Sequence, residues 1–401
     1  MEGYSPALLV RIVSQGGRYA FKEAVYNLNE LADLELSAVH VQRLTERMGW
    51  ELAAQRDEDA AAHQQGRLAR AHAHAPTAAA VMLDGGRLQT RAEPSPPGVV
   101  KPGWHEPKYA CCLTLDTKPA KHDPQPDPPP KFLDQKAVPK LVQELQRVRA
   151  PAKERQPARP HARAQPHKKR AVQRPRRWLV RTVVATMADV HEFKHLVAAE
   201  VHRRSLDRAQ WKACVCDGQA SNWTVYTEEL KPLGFVGILD FLHLLAYLYG
   251  AAQAAGGSEA ARWQRYCDWL HWAWGGQRDK LLVALNGAVA AVGEPPDNAG
   301  ESDPRCVVLT ARNYVANNAE KMDYARYRRL GLPISSAPVE SLIKQFNKRV
   351  KGTEKFWRSS AAEAIMQVRA AQLSEDGRLA RFWATPRRCR AANSRLPRLA
   401  A

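Results

Sequence analysis

Three short apolar runs, each stopped by an aspartate, constrain this chain most. They are Ala80-Val-Met-Leu-Asp84, Trp211-Lys-Ala-Cys-Val-Cys216 followed by Asp217, and Val236-Gly-Ile-Leu239 followed by Asp240. Runs of this length and composition read as strands, and helical stretches lie between them, so the expectation is an α/β fold. In an open sheet, chemistry sits where strands end, which makes the aspartates site candidates. Gly85 and Gly86 after Asp84 let the backbone approach something closely. Taken singly, each acid also fits a plain turn, because Asp-Gly is a common turn dipeptide.

A second constraint is the stretch Gly331 to Val350, which reads as a turn and then a helix. Pro333 and Pro338 block helix before the start, and Ser335 or Ser336 can cap it. Val339, Leu342, Ile343, Phe346 and Val350 recur at helical spacing as a buried stripe. Glu340 lies off that stripe, one turn before Lys344 and two before Asn347 and Lys348. A solvated Glu–Lys pair explains this as well as a site does, unless other carboxylates converge on Glu340.

The chain has 401 residues, 45% of them apolar, enough for two or three domains. Its 60 Lys and Arg against 41 Asp and Glu give a net charge of +19, which points to a polyanionic partner. The 7 cysteines include no C-x-x-C pair, arguing against a zinc site or disulfide framework and for a reducing cytosol. No signal peptide is recognisable. Phe235 to Ala255 is apolar, but a central Asp240 costs about 2.5–3.5 kcal/mol on membrane insertion, so strand plus buried helix is expected.

In chain order, residues 1–55 are helical. Ser37 caps a helix closed by Gly49 that carries His40, Gln42, Arg43 and Arg47, either as a helix-turn-helix or as a generic hairpin. Residues 56–78 are a connector, and 79–116 hold the first strands, including Tyr109 to Leu115. Residues 117–177 are proline-rich and then basic, with ten Lys/Arg against Glu154 between 151 and 177. Such composition cannot bury a core, so a flexible basic insertion is expected, with one helix over Leu133 to Arg149; it is either a solvated linker or a phosphate contact with Lys168, Lys169 and Arg170 at its centre. Residues 178–244 resume strands and helices, and 245–335 are helical. The tryptophans at 263, 269, 272 and 274 read as core, and Arg326, Arg328 and Arg329 interleave with tyrosines as DNA contacts. Residues 336–375 carry the Glu340 helix and a last amphipathic helix, and 376–401 are a basic tail.

Asp84, Asp217 and Glu340 together suit one task. Three converging carboxylates can hold two Mg²⁺ ions, with Mn²⁺ able to substitute, for in-line phosphoryl transfer. Arg87, Lys344, Asn347, Lys348, Arg349 and Lys351 would then guide the polyanion, while the metals invert the local sign for it.

The chain resembles the DDE transposases of the RNase H-like superfamily, more closely the bacterial insertion-sequence transposases of the Kra-type family. The likeness rests on Leu83-Asp-Gly-Gly-Arg87, Trp104-His-Glu-Pro-Lys108, Cys216-Asp-Gly218, Leu239-Asp-Phe-Leu-His243, Asn318-Ala-Glu-Lys-Met-Asp-Tyr324, Tyr327-Arg-Arg-Leu-Gly-Leu-Pro-Ile334, Val339-Glu-Ser341, Arg349 to Trp357 and Ala362-Glu-Ala-Ile365. It runs from about residue 20 to 375. The resemblance implies an RNase H-like mixed sheet with a large α-helical insertion before the last catalytic helix, plus the N-terminal helix-turn-helix-like segment. It implies Asp84, Asp217 and Glu340 as catalytic metal ligands, and Asp240 with His243 as a pair buttressing them. It further implies Mg²⁺-dependent cleavage at element ends and strand transfer into double-stranded target DNA. A homodimer or larger assembly acting in the bacterial cytoplasm, at the nucleoid, would follow. Asp217 departs from the family in the later placing of Trp223, and the abrupt helical start leads one to expect a preceding portion.

Overall fold

The computed structural model describes residues 4–71, 74–91, 103–149, 177–352 and 355–385. Its first helix, α1 (Pro6–Arg18), starts where Ser5 Oγ accepts from the Leu8 amide at 3.3 Å, with proline at the position where a missing N–H costs nothing. The next, α2 (Phe21–Ala32), ends at Asp33 in the left-handed region, φ 50°. Ser37 caps α3 (Ala38–Gln64) as expected, its hydroxyl accepting from the His40 amide at 3.1 Å. Gly49, however, does not close α3. A Cβ there would sit 2.1 Å from the Ala364 carbonyl oxygen, so the glycine serves close helix packing rather than termination. The helix therefore continues into the expected connector.

The main sheet begins with β1 (Ala78–Gly85); β2 (Leu88–Thr90) and β3 (Gly103–His105) form a separate two-stranded hairpin, and the chain returns to the main sheet as β4 (Lys108–Asp116). Then come α4 (Ala137–Arg149), β5 (Arg177–Thr186), α5 (Val190–Arg203), β6 (Trp211–Cys216), α6 (Ala220–Val225) and β7 (Val236–Leu239). Five strands form one mixed sheet in the order β5-β4-β1-β6-β7. β4 pairs antiparallel with both β1 and β5, whereas β1, β6 and β7 run parallel. Alternation sorts the side chains onto two faces. Val81, Leu83, Cys214 and Cys216 join Phe193, Val197 and Val201 of α5 in one core. Ala80, Met82, Val215 and Ile238 belong to the other. Helices cover both faces, which is why the strands read as continuous apolar runs.

The second core is filled by α7 (Phe241–Ala254), α8 (Glu259–Trp274), α9 (Arg278–Val292), α10 (Pro304–Asn318), α11 (Tyr324–Arg329), α12 (Ala337–Val350) and α13 (Ser359–Leu373). Trp269 and Trp274 are buried there, in keeping with their reading as core. The suspect apolar stretch is β7 plus α7, and among the described residues no helix is long and apolar enough to cross a membrane. The N-terminal helices pack on the rest of the fold: Leu9, Val13 and Met48 cluster with Val368 of α13.

Two expectations need correction. Residues 117–177 were expected to be a flexible insertion with one helix over Leu133 to Arg149; α4 is that helix, but Phe132, Val138 and Val142 are buried in the main core. Backbone groups do the anchoring: Tyr266 Oη donates to the Phe132 carbonyl at 3.0 Å, and Trp274 Nε1 to that of Gln125 at 2.9 Å. A few apolar side chains docked on a preformed helical surface suffice where the segment could not make a core of its own. Likewise, the expected basic tail starts with a last helix, α14 (Arg378–Ala384), whose Arg378 pairs with Asp376 at 2.9 Å and with Glu200 at 2.5 Å.

Candidate functional site

Register brings the three strand-ending aspartates side by side. Leu83 of β1 lies opposite Cys216 of β6, and Cys216 opposite Leu239 of β7. Asp84, Asp217 and Asp240 are each the next residue, on strands about 5 Å apart. Parallel pairing makes all three emerge at the same edge.

Each aspartate is held by local hydrogen bonds. Asp84 Oδ1 accepts from the Gly85 amide at 2.8 Å. Asp217 is 7% exposed, and its Oδ1 accepts from the Gln219 amide and from Asn222 Nδ2, both at 3.1 Å. The Asp217 carbonyl also accepts from Tyr314 Oη of α10 at 2.7 Å. The next residue, Gly218, has φ +95°, and a Cβ on it would stand 2.6 Å from the Tyr314 ring. Glycine is required here both for its backbone and for the ring packed beneath it.

Asp240 is fully buried and caps α7, with Oδ1 accepting from the Leu242 amide at 3.0 Å. Its Oδ2 meets His243 Nδ1 at 2.5 Å and accepts from Ser336 Oγ at 2.6 Å. Ser336 precedes α12, and Glu340 sits in that helix's first turn, where the dipole favours an acid. Glu340 Oε1 lies 3.5 Å from Ser336 Oγ. Donor atoms of Asp240, His243 and Glu340 all fall within 4.8 Å of one another, a group able to hold a metal ion. Burial pushes the Asp240 carboxyl up, but hydrogen bonding and charge from His243 outweigh it and hold it below the usual range. Glu340 is pushed up, by burial first and then by the Asp240 charge. Two buried acids so close favour a cation between them.

Glu340 thus meets Asp240 and His243 most closely, while Asp84 and Asp217 stand on the neighbouring strand ends outside that group. Shared neighbours connect them: Cys216 is influenced by Asp217 and Asp84, and Tyr314 by Asp240 and Asp217. Glu106, in the turn between β3 and β4, extends the acidic edge. Its Oε1 accepts from Gln219 Nε2 at 2.9 Å and lies over Gly85. Sequence reasoning gave no role to Tyr314 or Glu106: no local pattern marks Tyr314, and Glu106 stood only inside the Trp104–Lys108 motif. Ser336 was visible only as a helix cap.

Of the expected DNA contacts, Arg87, Arg326, Arg329, Lys344 and Lys348 are exposed, and Asn347 and Lys351 are half-buried. Two others lie inside the protein, against expectation. Arg328 is 3% exposed, pairs with Asp123 at 2.9 Å through Nε, and stacks 4.1 Å from the Trp274 ring centre. Arg349 is 1% exposed, donates to the Gly16 carbonyl at 2.9 Å, and lies over Phe21 and Trp357. These guanidiniums join distant segments, and neither is available to a phosphate. Lys168, Lys169 and Arg170 lie outside the described residues. Compared with known proteins, the chain matches no family model and no curated protein.

Proposed function

We propose that this chain is a DNA transposase with an RNase H-like catalytic core, in which α8, α9 and α10 belong to a helical insertion. The observation that carries the reading is the edge where β1, β6 and β7 end in Asp84, Asp217 and Asp240 while α12 brings Glu340 against Asp240 and His243. The donor set fits a hard divalent cation: Glu340, within 4.8 Å of Asp240 and His243, offers a carboxylate, and Asp84 and Asp217 offer two more at the neighbouring strand ends. Asp84, Asp217 and Glu340 would hold Mg²⁺ or Mn²⁺, and Asp240 with His243 would fix the Glu340 side. Bound there, the ions supply neutralisation of phosphate charge and alignment of the attacking and leaving oxygens.

The reaction has two displacements. Water forms a bond to phosphorus at the element end, and the P–O3′ bond breaks to leave a protonated 3′-hydroxyl. That hydroxyl then attacks a phosphodiester of target DNA, displacing a second 3′ oxygen. The chain's own residues contribute positioning and charge. Ser336 and His243 keep Asp240 ionised, Tyr314 fixes the Asp217 backbone, and Arg87, Lys344 and Lys348 offer exposed cations to the backbone of duplex DNA. Two element ends handled together call for at least a homodimer on DNA.

The test is strand transfer by the purified chain, with Mg²⁺ or Mn²⁺ and DNA carrying the element's native flanks. Joined products support the proposal. Cleavage without joining would make the chain a nuclease, and binding without cleavage a catalytically silent DNA-binding relic.

A further inference from the structure

We infer that the cleft between the β2–β3 hairpin and the exit of α12 seats an unpaired nucleotide of the DNA strand, resting on the reading that the chain acts on DNA. Trp104, on β3, is the only exposed tryptophan among the described side chains, at 38%. The Arg87 guanidinium carbon stands 5.4 Å from its ring centre. Lys351, Lys355 and Gln89 line the cleft with them. Three cations and an amide around one partly exposed ring match what a single strand offers: phosphates for the cations and a π-face for the indole.

The cleft is built, not incidental. Trp357 donates its amide to the Gln89 carbonyl at 3.2 Å and accepts from the Arg91 amide at 2.8 Å. Its own indole is buried and donates to the Val350 carbonyl at 2.8 Å. Hairpin and helix exit are therefore fastened as one wall pair, with Lys355 Nζ held 3.1 Å from the Arg349 carbonyl. The cleft encloses only about 20 Å³, room for about one water, so a base would lie on the ring instead of entering a pocket. Arg87 stands between β1, which carries Asp84, and β2, so the cleft lies on the hairpin that leaves the Asp84 strand.

The experiment measures the affinity of the full chain for a labelled single-stranded oligonucleotide and for the same sequence as duplex, across a salt series. Trp104→Ala is expected to weaken single-strand binding about ten-fold with an unchanged salt slope, while Trp104→Phe retains most of it. Arg87→Gln and Lys351→Gln should each reduce the slope by about 0.7. If Trp104→Ala leaves single-strand affinity unchanged, or weakens duplex equally, the cleft is not a base-stacking site. Strand joining separates this outcome from the function. Joining intact with unchanged Trp104→Ala affinity overturns the cleft alone. Stacking lost in Trp104→Ala, in a chain that never joins strands, upholds the cleft and removes the transposase reading.

Discussion

Ser336 Oγ donates to Asp240 Oδ2 at 2.6 Å across 96 positions of sequence. That bond ties the turn before α12 to the end of β7, and so sets where Glu340 enters. A second tie runs beside it, from the Phe241 amide to the Ile334 carbonyl at 2.9 Å. Helix and strand end are thus one assembly. Ser336→Ala removes a donor from a buried carboxylate and should cost about 1–3 kcal/mol of stability, read by denaturant unfolding. No measurable loss would mean the turn does not hold the helix.

Tyr314 offers a test of coupling between α10 and the strand ends. Tyr314→Phe keeps the ring and loses only the bond to the Asp217 carbonyl, so kcat should fall about ten-fold while the KM for DNA stays level. Gly218→Ala forces a side chain into φ +95° and against that ring, costing about 1–3 kcal/mol. Equal kinetics in Tyr314→Phe and the parent would remove Tyr314 from any positioning role.

The cations divide into two kinds that titrations with salt can distinguish. Lys344→Gln and Lys348→Gln, on the exposed side of α12, should leave stability within about 0.5 kcal/mol and lower the duplex salt slope by about 0.9 each. Arg349→Ala should do the reverse, costing about 3 kcal/mol through lost packing and hydrogen bonding with the slope unchanged. Burial already pushes the Arg349 guanidinium down to about 10. A reduced slope in Arg349→Ala would contradict its interior placement.

Acid stability should depend on Glu200, behind the sheet. Burial pushes its carboxyl up, but Arg378 at 2.5 Å and Arg203 at 2.9 Å prevail and hold it well below the usual range. A depressed acid contributes stability that is complete above its unfolded value, about 4.3, and is lost as pH falls toward the folded one. Glu200→Gln should therefore flatten the decline in unfolding free energy below about pH 4.3. An unchanged decline would assign the acid sensitivity elsewhere.

The strands at Asp84, Asp217 and Asp240, and the helix carrying Glu340, were legible because local apolar pattern and breakers determine them. Their adjacency was less so, since register is a property of pairing between segments far apart in the chain. Arg328 and Arg349 show the limit clearly. Their local setting is a cationic helix, but Asp123 lies 205 residues from the first and Gly16 lies 333 from the second. Composition misled on burial around Phe132 for the same reason: its side chain needed a surface provided by α7 and α8. Gly49 looked like a helix stop because nothing nearby announced Ala364.

The strand-end site is tested most directly by the initial rate of phosphodiester cleavage in Glu340→Gln, a near-isosteric change that removes one carboxylate. Burial and the Asp240 charge disfavour the ionised form, so the variant should fold at least as stably as its parent. Its cleavage rate should fall by about a hundred-fold or more, with DNA affinity preserved. A rate equal to the parent's, in a folded variant, would contradict the assignment of Glu340 and with it the proposed site.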